Sequence, residues 1–166
     1  MPVESIAVRP AELADLPAIV AMRDKLNRLE LSGCKYAAIV PLSLDQFTAI
    51  WSSSFASPNH CWRVAETEGR LVGFGLVYLL SPRTEPPGAY LHWAFVEEEY
   101  RRHGVGQRLL DELLTWARQQ GVARVELQFI DGNVGAERFW TKMGFRPFAR
   151  KCVYYLDERA DRSRLA

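Results

Sequence analysis

An apolar run from Tyr90 to Val96 passes through a charged stretch, Glu97 to His103, into Gly104-Val105-Gly106 and then into a helical stripe; this junction constrains the fold more than any other feature. Val105, Leu109, Leu110, Leu113, Leu114 and Ala117 recur at helical spacing, which predicts a helix from Val105 to Gln120 stopped by Gly121. A strand that feeds straight into an amphipathic helix belongs to a layered α/β arrangement, because each element has one apolar face to bury against the other.

The remaining punctuation divides the chain into short alternating elements of a mixed α/β domain. A short strand near Ile6 to Arg9 precedes a helix capped by Asp15, with Leu16, Ile19, Val20, Leu26 and Leu29 on its buried side and Gly33 at its end. Ser43 and Gln46 form a capping box for a second helix that carries Phe47, Ile50 and Trp51 on one face. Cys61 to Ala65 and Leu71 to Leu80 read as strands joined by a Glu68-Gly69 hairpin turn. After a proline-bearing loop come the strand and helix of the junction, a strand from Val125 to Ile130, and a helix from Ala136 to Met143 closed by Gly144. Two extended pieces flank Arg150 and Lys151, and a polar tail starts near residue 157. A length of 166 residues, 48% hydrophobic, predicts one domain over residues 1–166.

Charge and cysteine usage exclude several classes. Lys+Arg number 21 against 20 Asp+Glu, so no broad positive field gathers nucleic acid or an anionic membrane, and the basic run Arg101 to Arg108 lacks the interleaved aromatics of a nucleic-acid surface. Cys34, Cys61 and Cys152 are odd in number and form no CxxC pair, which points away from a disulfide framework or a metal site and toward a reducing cytoplasm. MPVESIAVRP has no basic start followed by an apolar run, and no apolar stretch approaches the ~20 residues of a membrane helix. The expectation is a soluble, unprocessed protein.

The junction has chemistry of its own. A helix start exposes unpaired N–H groups at the positive end of the helix dipole, and Gly104 and Gly106 let an anion approach the backbone closely. Arg101, Arg102, His103 and Arg108 add local positive charge. A P-loop would need Gly-Lys-Ser/Thr at its end, and a dinucleotide fingerprint would need a third glycine where Leu109 stands; both are missing.

Arg101-x-x-Gly104-x-Gly106 after a strand resembles the Q/R-x-x-G-x-G/A motif of the GNAT acetyltransferases. Downstream, the run from Asn133 through Ala136, Trp140, Lys142, Gly144 and Phe145 resembles that family's N-x-x-A-x-x-x-Y-x-K-x-G-F segment, and the two motifs cover Tyr90 to Phe145 in register. The resemblance implies a central mixed, mostly antiparallel sheet with helices on both faces, in which the parallel strands at Tyr90–Val96 and Val125–Ile130 splay apart to admit acetyl-CoA. It further implies that the backbone of Ala94, Phe95 and Val96 holds pantetheine, that amides from Arg102, His103, Gly104, Val105, Gly106 and Gln107 hold the pyrophosphate, and that Asn133 bonds near the pantetheine arm while also capping its helix. The implied reaction is acetyl transfer to an amine without a metal.

Amine attack on a thioester needs a base, an oxyanion donor and a departing thiolate. The resemblance offers a backbone N–H near Phe95 for the oxyanion. His92 is the candidate base: its ordinary pKa of about 6.5 suits proton uptake near neutrality, and arylalkylamine N-acetyltransferases carry a similar strand histidine. Strict alternation puts His92 on the face of Tyr90, Ala94 and Val96, where a satisfied core or edge histidine is the competing reading. Trp140 replaces the family's usual tyrosine acid, and Gln128 stands where related N-terminal protein acetyltransferases have a glutamate, which argues against a ribosomal-protein-type activity. Arg102 replaces a common glycine and fits if its φ is ordinary, and Glu97, Glu98 and Glu99 read as a solvated face. Tyr36, Trp51, Trp62 and Trp93 are candidates for an acceptor pocket, and Phe148, Val153 and Tyr155 for a homodimer contact. A non-catalytic acyl-CoA sensor of the same fold is the alternative.

Overall fold

The computed structural model describes residues 6–33, 42–81, 86–152, 154 and 156, the side chains of 31–33 excepted. Tyr36, Val153 and Tyr155, together with Cys34 and the tail from residue 157, lie outside the described residues. The chain forms two compact units: residues 1–24 with 42–128, and residues 25–41 with 129–166.

The first unit is built on a five-stranded sheet in the order β1 (Ala7–Pro10), β2 (His60–Thr67), β3 (Arg70–Leu79), β4 (Gly88–Val96), β5 (Arg124–Glu126). The first three pairings are antiparallel and β4–β5 is parallel. The β2–β3 turn forms as the sequence predicts, with Glu68 at φ 51 and Gly69 at φ 72, the left-handed pair that a tight hairpin needs. The β4–β5 pairing spans only Gly88↔Arg124 to Tyr90↔Glu126, so β4 runs on for six residues after β5 has ended. The strand expected from Val125 to Ile130 is therefore cut to its first residues, and the splay implied by the resemblance is the reason: past Glu126 the two strands no longer meet.

Helices cover both faces of this sheet. Helix α3 (Val105–Gln119) buries Val105, Leu109, Leu110, Leu113 and Ala117, and its first turns pack with Ile6, Ala65 and Val72, joined by Val8, Val96 and Tyr100. A Cβ on Gly75 would lie 2.7 Å from Leu113 Cδ1 and one on Gly73 2.8 Å from the Phe95 carbonyl oxygen, so these two glycines set how closely the helix and β4 approach β3. On the opposite face α2 (Leu44–Trp51) starts at the expected box, with Gln46 N–H donating to Ser43 Oγ and Ser43 N–H to Gln46 Oε1. Its Phe47 is fully buried and stacks on Trp93 at 5.7 Å.

Helix α1 (Leu16–Gly33) begins in the first unit and ends in the second. Asp15 does not cap it as expected. A 3-10 turn, Leu13–Asp15, precedes the helix, and the Asp15 carboxylate accepts from Glu12 N–H at 2.8 Å and from Arg9 at 2.8 Å. Arg9 also reaches Glu66 at 2.7 Å, tying β1 to β2.

In the second unit α4 (Val134–Lys142) is capped by Asn133, whose Oδ1 accepts from Ala136 N–H at 3.0 Å. Its far end closes with Gly144 at φ 90, Phe145 N–H bonded to the Trp140 carbonyl and Gly144 N–H to that of Thr141. That is a Schellman ending, and the Trp140–Phe145 ring contact at 5.4 Å is the apolar clasp that accompanies it. The described residues from Arg146 onward, expected as two extended pieces, carry no strand pairing.

Candidate functional site

After β4 the chain makes one 3-10 turn, Glu98–Tyr100, then a tight turn over Arg101 to Gly104, and enters α3. Glu97 N–H bonds to the Val72 carbonyl at 2.9 Å, fixing where the strand stops. Two consecutive features then reverse the backbone: Arg102 at φ 62 and Gly104 at φ 82. The condition under which Arg102 is expected to fit, an ordinary φ, is not met. The position keeps the left-handed conformation natural to glycine and imposes it on an arginine.

Gly104 is the N-cap of α3 and offers no side-chain acceptor, and the helix's own ladder begins with Arg108 N–H to the Gly104 carbonyl at 3.0 Å. The amides of Val105, Gly106 and Gln107 thus precede the ladder at the positive end of the helix. Nothing lies within 4 Å of a Cβ built on Gly104, so its φ, not crowding by neighbours, explains the glycine.

Arg101 has another task. Its Nε donates to the Val96 carbonyl at 2.8 Å and its guanidinium sits 5.6 Å from the Phe95 ring, so the side chain pins the turn back onto the end of β4. Arg102, His103 and Gln107 are exposed on the turn. Ala94, Phe95 and Val96 lie on the part of β4 beyond its pairing with β5. Glu98 and Glu99 are solvated as expected, whereas Glu97 is buried.

His92 occupies an unexpected place. Leu91 pairs with Val77 and Trp93 with Leu76, which leaves His92 as an extra residue in β4, a β-bulge. The bulge resets the alternation, so His92 does not share a face with Ala94 and Val96. Its ring lies 4.3 Å from Trp93, 5.2 Å from Trp51, 5.8 Å from Tyr78 and 6.1 Å from Tyr90, on the α2 side of the sheet, while Val96 packs with Leu109 on the α3 side. Burial, reinforced by the charge of Arg23, pushes the His92 pKa below its ordinary value and keeps the imidazole neutral near pH 7. A neutral imidazole can accept a proton. Of the expected pocket aromatics, Trp51 and Trp93 join His92, and Trp62 is a core residue whose Nε1 donates to Ser54 Oγ at 2.8 Å.

Sequence reasoning missed Arg23. Its guanidinium is buried 5.4 Å from the Trp93 ring and 5.5 Å from that of Phe47, and a single arginine on a helix face gives no sequence sign of that placement. Asn133 and Trp140 belong to the second unit, where Trp140 packs on Phe139 and Phe145 as its helical register suggests. Among the described residues no cluster of His, Cys, Asp or Glu could hold a metal, and no helix is long and apolar enough to cross a membrane.

Comparison with known proteins bears on this geometry. The family model for the acetyltransferase (GNAT) family matches residues 28–145. The chain is similar to the N-alpha-acetyltransferase RimI of Mycobacterium tuberculosis, 33% identical over 113 residues that cover 68% of this chain and 69% of that protein. It is also similar to N-acetyltransferase 8 of Homo sapiens, 31% identical over 108 residues, 63% of this chain and 48% of that one. In fold it matches the aminoglycoside N-acetyltransferase AAC(6')-Iy, solved in complex with CoA, with a TM-score of 0.72 and 16% identity over 92% of this chain and 95% of the other. The match spans the strand, the turn and the helix start described above, and the chain belongs to the GNAT family of acetyltransferases.

Proposed function

We propose that this chain moves the acetyl group of acetyl-CoA to a primary amine by direct attack, with the turn from Arg101 to Gln107 as the pyrophosphate cradle and His92 as the base. The observation that carries the reading is the entry to α3, where two left-handed residues turn the chain so that the Val105, Gly106 and Gln107 amides precede the helix ladder, next to a strand whose outer edge β5 has left. Family membership supports acetyl-CoA-dependent N-acetyltransferase activity.

In this reading the pantetheine arm lies along Ala94, Phe95 and Val96, with Asn133 bonding to it. The acceptor ammonium gives a proton to His92, its nitrogen attacks the thioester carbon, and a backbone N–H near Phe95 receives the developing oxyanion. The C–S bond breaks, CoA leaves as thiolate, and the second proton of the attacking nitrogen passes to that thiolate or to solvent water, leaving a neutral amide. Trp140 supplies no acid there, since an indole N–H does not ionise usefully, and a thiol pKa of about 8.5 lets the thiolate leave unassisted. The whole of residues 1–166 acts as one domain, in the cytoplasm. The homodimer contact expected of Phe148, Val153 and Tyr155 is supported by the 83% exposure of Phe148, and sedimentation at micromolar concentration would test it.

A non-catalytic acyl-CoA sensor is the second reading, favoured by the commitment of Trp140 to the α4 ending. Release of CoA from acetyl-CoA against a panel of primary amines, with thermal shift in parallel, separates the two. Turnover with any amine supports the transferase; ligand-induced stabilisation without turnover supports the sensor.

A further inference from the structure

The rings around His92 fall into two sets. Phe47, Phe74 and Trp62, at 0%, 0% and 4% exposure, are closed in the core. Trp51, Tyr78, Tyr90, His92 and Trp93 are each half-buried and present part of a ring to the outside. The second set is contiguous: besides their contacts with His92, Tyr78 and Tyr90 are cross-strand partners with centroids 5.7 Å apart, and Trp51 meets Trp93 at 4.9 Å. The proposed base therefore stands in a wall of aromatic faces.

The charges behind that wall are few and compensated. Arg23 from α1 lies against Trp93 and Phe47, and Asp24 beside it faces its guanidinium at 3.8 Å. Glu126 of β5, whose charge is felt at Tyr90, is held by Arg124 at 2.6 Å. His60 of β2 stands against Tyr78 at 5.6 Å and, kept neutral near pH 7 by burial, adds no charge. A site for a polycation would need carboxylates facing it, and among the described residues those near the rings face guanidinium groups instead. A flat apolar group, by contrast, gains contact area on each ring it covers.

We infer that the wall formed by Trp51, Tyr78, Tyr90 and Trp93 around His92 selects primary amines that carry one planar ring on a short arm, and disfavours polycationic amines. This rests on the transferase reading above, with His92 marking where the amine nitrogen must come. The ring would lie on Trp51 and the tyrosine pair while the nitrogen meets the imidazole.

The test uses the full chain with saturating acetyl-CoA and compares kcat/KM for 3-phenylpropylamine, n-propylamine and spermidine. The expected order places 3-phenylpropylamine at least about tenfold above both others. Trp51→Ala should compress the phenylpropyl-to-propyl ratio by about tenfold, and Tyr78→Leu, a second variant on a different element, should compress it in the same direction. A preference for spermidine, or a ratio that both folded variants leave unchanged, would overturn the inference while leaving the transferase standing. Absence of turnover with every amine would overturn both.

Discussion

At Arg102 the chain carries a left-handed backbone without the residue suited to it. That conformation costs a non-glycine residue about 1–2 kcal/mol, partly offset by the extra freedom glycine would have in the unfolded chain. Arg102→Gly should therefore stabilise the fold by about 0.5–1 kcal/mol, read as a higher urea midpoint with an unchanged slope; a lower midpoint would mean that the arginine side chain makes compensating contacts. His92 makes a second residue-scale prediction. Loss of a general base costs about two to four powers of ten in rate, so His92→Ala should lose turnover most near neutral pH and regain part of it as rising pH deprotonates the amine in solution. Because burial and Arg23 depress the His92 pKa, the acid limb of the parent's kcat/KM profile should fall below about 6.5. Superimposable profiles for parent and variant would remove His92 as the base.

Among the elements, β3 is the one whose substitutions discriminate best. A Cβ at Gly73 meets a backbone oxygen at 2.8 Å, whereas one at Gly75 meets the end of the Leu113 side chain at 2.7 Å, which can rotate away. Gly73→Ala should cost about 1–3 kcal/mol and Gly75→Ala less, an order that thermal melts of the two variants would reverse if β4 were free to move. On α4, Asn133→Ala removes the bond to Ala136 N–H and should cost about 1 kcal/mol; a fall in CoA affinity beyond that would support the proposed second contact. Most elements were legible in the sequence because apolar spacing and glycine punctuation mark them directly: the Ser43 box, the Glu68-Gly69 turn, the α3 stripe and the Gly144 stop all formed. The bulge at His92 was not legible. One inserted residue leaves apolar alternation almost unaltered on paper yet transfers a side chain to the other face. The early end of β5 was hidden for a related reason, since residues 127–130 keep strand-like side chains after their pairing partner has diverged.

For the whole molecule, the near-balance of charge leaves pH dependence to a few placed groups. His92 has a depressed pKa when folded, so the unfolded chain binds its proton more readily; its stabilising contribution is complete above about 6.5 and is lost as pH falls through the folded value. Asp15, held below the ordinary carboxylate range by Arg9, acts in the same direction at lower pH, its contribution present above about 3.9 and lost beneath it. Thermal melts should show two declines on acidification, and His92→Gln should flatten the upper one. The candidate site was legible at the glycine turn, where motif and backbone geometry coincide, and illegible at Arg23 and the aromatic wall, where residues distant in sequence meet only through the sheet. Calorimetry of CoA binding to the parent and to Gly106→Trp tests whether CoA is held where β4 turns into α3. Gly106 lies inside α3, whose helical backbone any residue adopts, so the substitution adds bulk at the cradle without a left-handed constraint. The parent should bind and the variant, with an unchanged melt, should not; a folded Gly106→Trp that binds CoA as tightly as the parent would rule this site out.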